Sequence, residues 1–274
     1  MYLSYFHSYR LAPEHVYPAA YDDCLNVTKW LLQNAKSLGV DATRVGVSGD
    51  SAGGALAASV AQTIHDDPSL PDLKYQALVY PVSQFVDINT PSQQKYRRDF
   101  GENGGMVTWW EAAGIVTWYL TGQSDDELMR PMMKNNHTTS TFWRESSHAK
   151  YVAHSLLPAQ FIVGKNYTPL PVNRKGDAKV WSRIEKSLLD PTLCPLMREN
   201  MTGLPPAFIA TCGFDAIRDN GVYYAKRLID GGVTVDWKHY EGGFHGVFGP
   251  TWPFTFKVGE EMFRDYIQFI RTYW

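Results

Sequence analysis

Apolar positions along the chain follow two periods in alternation, a short run that reads as strand and a longer, spaced run that reads as helix. Leu3 to Tyr9 predicts a strand, and Tyr21 to Leu38 carries helical spacing that Gly39 would end. Arg44 to Ser48 is short and partly β-branched, a second strand, and the small residues from Ala52 to Ala61 favour a helix. Tyr75 to Tyr80 predicts a third strand, stopped by Pro81. The alternation resumes late, with Ala207 to Cys212 as strand, Gly221 to Leu228 as helix, Val233 to Tyr240 as strand and Val258 to Tyr273 as an amphipathic closing helix. Strands alternating with helices imply an α/β fold with a mostly parallel sheet, covered by helices on both faces.

Between about Gln84 and Asn200 the pattern breaks. That stretch holds Trp109, Trp110, Trp118, Trp143 and Trp181 among polar loops, and it reads as an insertion over the carboxyl edge of the sheet, where open α/β sheets place their sites. The expected organisation is one discontinuous core of residues 1–83 and 201–274 with a cap or lid of residues 84–200. There is no internal repeat at solenoid or propeller period and no low-complexity tract.

Composition narrows the class. The 274 residues are 44% hydrophobic and 20% charged, an ordinary globular balance, and at about 150 residues per domain they suffice for one large domain or two small ones. A formal net charge of -2 leaves no electrostatic footprint for nucleic acid or an anionic membrane surface. Three cysteines, Cys24, Cys194 and Cys212, allow one pair with one left over and lack zinc-site spacing. No apolar run approaches the roughly 18 residues of a membrane span, and no signal sequence opens the chain, which as written reads as soluble. Four N-glycosylation patterns, at Asn26, Asn136, Asn166 and Asn200, exceed the roughly one expected by chance and lean toward a secretory compartment.

The strongest local signal for chemistry is Gly49-Asp50-Ser51-Ala52-Gly53-Gly54, lying between a predicted strand and a predicted helix. A G-x-S-x-G elbow needs that setting: a sharp strand-to-helix turn strains the serine backbone and leaves no room for side chains beside it, hence Gly49 and Gly53, while Gly54 lets the helix approach the sheet. The pattern alone is only moderately specific, since composition predicts about a tenth of one chance match. A serine hydroxyl needs a base, and the base a carboxylate to hold its tautomer, in the chain order serine, acid, histidine. Asp215 after the late strand and His245 in Gly242-Gly243-Phe244-His245-Gly246 fit that order. An Asp after a strand is as often only a helix cap, and Asp219 nearby is another candidate for that role. His239 falls inside a strand and reads as structural; His7, His15, His65, His137, His148 and His154 show no metal-ligand spacing and read as solvated or core. No metal and no cofactor are implied.

Tyr9-Arg10-Leu11-Ala12-Pro13-Glu14-His15, the Gly49-to-Gly54 elbow, Asp215-Ala216-Ile217-Arg218-Asp219 and Gly243-Phe244-His245-Gly246 together resemble the hormone-sensitive lipase group of α/β-hydrolases, in the branch of arylacetamide deacetylases and neutral cholesterol ester hydrolases. The resemblance runs along the whole chain, weakest from about Gln84 to Glu199. It implies Ser51 as nucleophile, His245 as general base and acid, Asp215 as its orienting partner, the Ala52 backbone N–H as one oxyanion donor, and small-molecule or lipid esters, or aryl amides, as substrates. It also implies an upstream His-Gly-Gly-Gly oxyanion loop, which these residues do not contain, and before it a membrane anchor on the lumenal side of the endoplasmic reticulum. The expectation is therefore a truncated hydrolase lacking its first strands, poorly folded or nearly inactive on its own, with Cys212 separated from a disulfide partner. Two other readings stand beside the esterase: a hydrolase-fold ligand receptor, as in the plant gibberellin receptors, which lack the catalytic histidine, and a silent fragment.

Overall fold

A computed structural model describes residues 7–101, 106–162, 167–249 and 255–273. Their sheet has four parallel strands in the order of the chain: β1 (Val47–Asp50), β2 (Gln76–Val79), β3 (Ala207–Phe214) and β4 (Val235–Phe244). Parallel neighbours need crossovers, and α2 (Ala52–His65) joins β1 to β2 while α8 (Arg218–Asp230) joins β3 to β4. The remaining helices are α1 (Ala19–Asn34), α3 (Pro91–Phe100), α4 (Trp109–Thr121), α5 (Asp126–Met133), α6 (Ser140–Glu145), α7 (Ala178–Leu188) and α9 (Lys257–Thr272).

Strand side chains alternate between faces, and both faces are buried. Ala77, Val79, Phe208, Ala210 and Cys212 point toward α9 and meet Met262 and Phe269, with the Phe208 and Phe269 rings 5.6 Å apart. Leu78, Ala207 and Ile209 point the other way, into a cluster with Ala57 and Ala58 of α2 and Val222, Tyr223 and Leu228 of α8. Burial on two faces explains why β2 shows no alternation of buried and exposed positions, with even Gln76 fully buried and donating to the Pro205 carbonyl at 3.0 Å. Helix α1 stacks on α2, placing Tyr21, Cys24 and Leu32 against Val60, Ala61 and Ile64.

The segment 84–200 supplies α3 to α7, and its apolar residues Val86, Ile88, Val116, Leu128, Trp143 and Trp181 share one continuous buried cluster with the sheet face covered by α2 and α8. Trp143 and Trp181 are core residues, whereas Trp110 and Trp118 are exposed. No helix among the described residues is long and apolar enough to cross a membrane.

The structure departs from several sequence expectations. Leu3 to Phe6 lie outside the described residues, and His7 to Tyr9 form no strand. The strand expected at Arg44 to Ser48 is displaced to Val47–Asp50, because Ala42–Arg44 close a 3-10 turn held by Asp41, whose carboxylate accepts the Thr43 N–H at 2.9 Å. Helix α1 ends at Asn34, short of Gly39, which instead takes a positive φ in the following turn. Cys24, Cys194 and Cys212 are all buried free thiols, so no pair forms among them.

Candidate active site

Ser51 is the joint between β1 and α2. The chain must reverse from strand to helix within one residue, and Ser51 does so at φ 53°, ψ -120°, a region that non-glycine residues seldom occupy. Its backbone is held from the neighbouring strand: the Ser51 N–H donates to the Val79 carbonyl at 2.9 Å, and the Val82 N–H donates to the Ser51 carbonyl at 3.3 Å. A side chain at Gly49 would put its Cβ 2.2 Å from the Gly53 carbonyl oxygen, so the elbow closes only with hydrogen at that position. At Gly54 a Cβ would meet the Pro81 Cβ at 3.0 Å, which fixes the close approach of α2 to the turn after β2. Gly53 corrects the sequence argument, since a Cβ there meets nothing within 4 Å and steric crowding does not require a glycine.

Asp215 directly follows β3 and His245 directly follows β4, and because all strands run parallel, their carboxyl ends share one edge of the sheet with Ser51. The Ser51 Oγ lies 2.9 Å from His245 Nε2, and His245 Nδ1 lies 3.0 Å from Asp215 Oδ2. Asp215 and His245 are 2% and 5% exposed, so the carboxylate–imidazole pair is shielded from water. An ionised Asp215 accepts from Nδ1–H, which leaves the Nε2 lone pair facing the serine hydroxyl. The other Asp215 oxygen accepts the Ile217 N–H at 2.9 Å, so the same residue also secures the entry to α8. Asp219 is not a cap: it lies inside α8, where Arg218 reaches one carboxylate oxygen at 2.7 Å and the Ser92 N–H donates to the other at 2.7 Å.

Ala52 is the first residue of α2, where backbone N–H groups have no acceptor within the helix. Cys212, in β3 below the site, is held as a neutral thiol because burial, then Asp215, push it up. Beside the site stand aromatic and aliphatic side chains, with the Lys95 ammonium 5.4 Å over the Phe214 ring. Phe214, next to Asp215, is 43% exposed and packs its ring 6.1 Å from that of Phe100, and the exposed Met106 lies over Gly246 beside His245.

The other histidines scatter. His239 sits in β4 with Nδ1 3.0 Å from the Thr211 hydroxyl, and burial, then Arg218, lower it. His154 bridges the buried Asp87 at 2.9 Å and the Tyr167 hydroxyl at 2.6 Å. His137 is fully buried against the Phe85 carbonyl at 2.8 Å, and desolvation lowers it to about 4. Among the described residues no group of three or more His, Cys, Asp or Glu is placed to hold a metal. Of the sequon asparagines, Asn26 and Asn200 are exposed, Asn136 is half-buried with Thr138 2% exposed, and Asn166 lies outside the described residues. Besides Phe100, Met106 and Phe214, the sequence reading missed Tyr80, whose ring centroid stands 4.7 Å from that of His245. Its only sequence signal is a position at a strand end before Pro81.

A model of the α/β-hydrolase fold matches residues 4–146 and 164–249. The chain belongs to the α/β-hydrolase-fold family. Within it, the chain is 38% identical over 270 residues to neutral cholesterol ester hydrolase 1 of Bos taurus, a match that covers 96% of this chain and 63% of that protein. It is 36% identical over 272 residues to arylacetamide deacetylase of Oryctolagus cuniculus, covering 96% of this chain and 64% of that one. This α/β-hydrolase chain thus spans somewhat under two thirds of the length of those relatives. Its fold also superposes on a thermostable carboxylesterase cloned from a metagenomic library, with a TM-score of 0.65 at 24% identity over 97% of this chain and 67% of that one.

Proposed function

We propose that this protein is a serine hydrolase that cleaves carboxylic esters through an acyl-enzyme on Ser51. The observation that carries this reading is the hydrogen-bonded series Ser51–His245–Asp215, assembled at one sheet edge from residues 194 and 30 positions apart. As His245 Nε2 takes the hydroxyl proton, the Ser51 oxygen attacks the ester carbonyl; the carbonyl oxygen becomes an oxyanion, with the Ala52 N–H at the start of α2 as one donor. His245 then returns the proton to the leaving alcohol. Water, activated by the same nitrogen, releases the acid and restores Ser51. Asp215 stays ionised throughout, fixing the imidazole tautomer and offsetting its positive charge.

The apolar side chains of Phe214, Phe100 and Met106 beside the site favour substrates with apolar acyl or alcohol groups, in keeping with relatives named for cholesterol ester and arylacetamide hydrolysis. Aryl amides belong to the same proposal, since the leaving amine takes its proton from the same imidazole. The segment 84–200 serves in this reading as the cap over the site, and residence in the endoplasmic reticulum, with carbohydrate on the exposed Asn26 and Asn200, completes it.

Hydrolysis of p-nitrophenyl acetate and butyrate, together with covalent labelling by a fluorophosphonate, tests the assignment. Ser51→Ala is expected to abolish labelling and to lower turnover by several orders of magnitude, and Asp215→Asn to lower it by roughly 10⁴-fold. A Ser51→Ala protein that hydrolyses esters as fast as the parent removes the proposal.

A further inference from the structure

Tyr80 directly follows β2, in a backbone conformation that an aromatic residue adopts only when its surroundings force it, with φ 35°. The surroundings do so. Its N–H donates to the Ala210 carbonyl at 2.9 Å, while the residue before it and the one two positions after it grip Ser51: the Val79 carbonyl takes the Ser51 N–H, and the Val82 N–H reaches the Ser51 carbonyl. The turn at Tyr80 is what lets residues 79 and 82 face the two peptide units that flank the Ser51 Cα. The side chain faces the other partner. Its ring, 3% exposed, lies with its centroid 4.7 Å from that of His245 at an interplanar angle of 51°, and its hydroxyl comes within 3.5 Å of the Asp50 carboxylate.

We propose that Tyr80 is a positioning residue for the Ser51–His245 pair, its turn clasping the nucleophile elbow and its ring supporting the imidazole as it becomes positively charged. The inference rests on the serine-hydrolase reading and deepens it. When the Ser51 proton moves to Nε2, a unit positive charge forms on the ring of His245, and an aromatic face within about 6 Å attracts such a cation. Among the described residues, the groups that face His245 include the Ser51 hydroxyl, the Asp215 carboxylate and the Tyr80 ring, with Asp50 and the Phe248 backbone at the Tyr80 hydroxyl and the neutral Cys212 thiol near Asp215. Burial keeps the Tyr80 phenol above its ordinary range, so it stays neutral and its ring retains the negative face.

Ring electronics separate this role from simple packing. Tyr80→Phe, which keeps the ring and loses only the hydroxyl contact to Asp50, is the reference for the series. Phenylalanine analogues carrying one, two and three fluorines at position 80 keep nearly the same size and withdraw charge from the face. Across that series kcat is expected to fall stepwise, by roughly threefold to thirtyfold in all, at constant KM and constant melting temperature. A flat series overturns the role of the ring. Nuclear magnetic resonance provides a readout that needs no turnover: the His245 ring protons are expected to lose their ring-current shift in Tyr80→Leu and keep it in Tyr80→Phe, and unchanged resonances in the leucine variant overturn the proposal. Ser51→Ala in the same assay separates the two claims. If it retains full activity, the hydrolase reading itself fails; if it is inactive while fluorination has no effect, only the claim for Tyr80 fails.

Discussion

At the scale of single residues, two glycines of one motif have different physical reasons to be there. Gly49 is compelled by the carbonyl of Gly53, 2.2 Å from where a Cβ would stand, whereas Gly53 faces open space. Gly49→Ala is therefore expected to lower the unfolding free energy by roughly 2–3 kcal/mol in urea denaturation, as overpacking against backbone does. Gly53→Ala, in the first turn of α2, is expected to leave it unchanged or raise it by a few tenths of a kcal/mol. His137 offers a second test. Its folded form protonates only near pH 4, because burial disfavours the charge, while an unfolded histidine protonates near 6.5. Between those values the unfolded chain binds the extra proton, so the stability contributed by keeping His137 neutral is present above about pH 6.5 and is lost as pH falls toward 4, by up to about 3 kcal/mol. Melting temperature against pH should show that decline, and His137→Gln, which retains an N–H for the Phe85 carbonyl, should flatten it.

At the scale of elements, the site depends on how β2 leaves the sheet. The chain after Tyr80 is tied to α8 by Asn220, whose side-chain oxygen accepts the N–H groups of Ser83 at 3.2 Å and Gln84 at 3.1 Å, while the Ser83 hydroxyl donates to the Asn220 carbonyl at 2.8 Å. All three residues are buried, so Asn220→Ala leaves two backbone donors without an acceptor. Such a loss costs about 1–3 kcal/mol per group, and a fall of that order should appear in chemical denaturation. Because the same turn holds Ser51, fluorophosphonate labelling should slow as well. Strands β2 and β3 were legible in the sequence as mainly apolar runs at Tyr75 to Tyr80 and Ala207 to Cys212, and α1, α2, α8 and α9 from their spacing or small residues, whereas α3 to α7 fall where no period was read. Boundaries were less so: β1 moved by about three residues, because a side-chain hydrogen bond from Thr43 to Asp41, rather than hydrophobic pattern, sets where the preceding turn ends.

At the scale of the whole molecule, the site is a property of the assembled sheet. Ser51, Asp215 and His245 come from the ends of three different strands, and each strand is fixed by its neighbours and by helices on both faces. No local segment can hold the three groups in register alone. In a urea titration, labelling of Ser51 and the far-UV circular dichroism signal are accordingly expected to disappear in one coincident transition. Loss of labelling well before loss of ellipticity would mean that the site opens independently of the sheet.

The sequence by itself determined the alternation of strand and helix, the elbow residues around Ser51, and the order of serine, acid and histidine, because periodicity and turn chemistry are written in near neighbours. What lay outside its reach depends on residues far apart along the chain. The face of β2 that α9 covers, the fully buried imidazole of His137, the open space beside Gly53 and the Tyr80 ring against His245 each follow from which surfaces meet after folding. Only the tertiary structure decides those, since burial and close approach are set by packing between elements rather than by any residue's own preference.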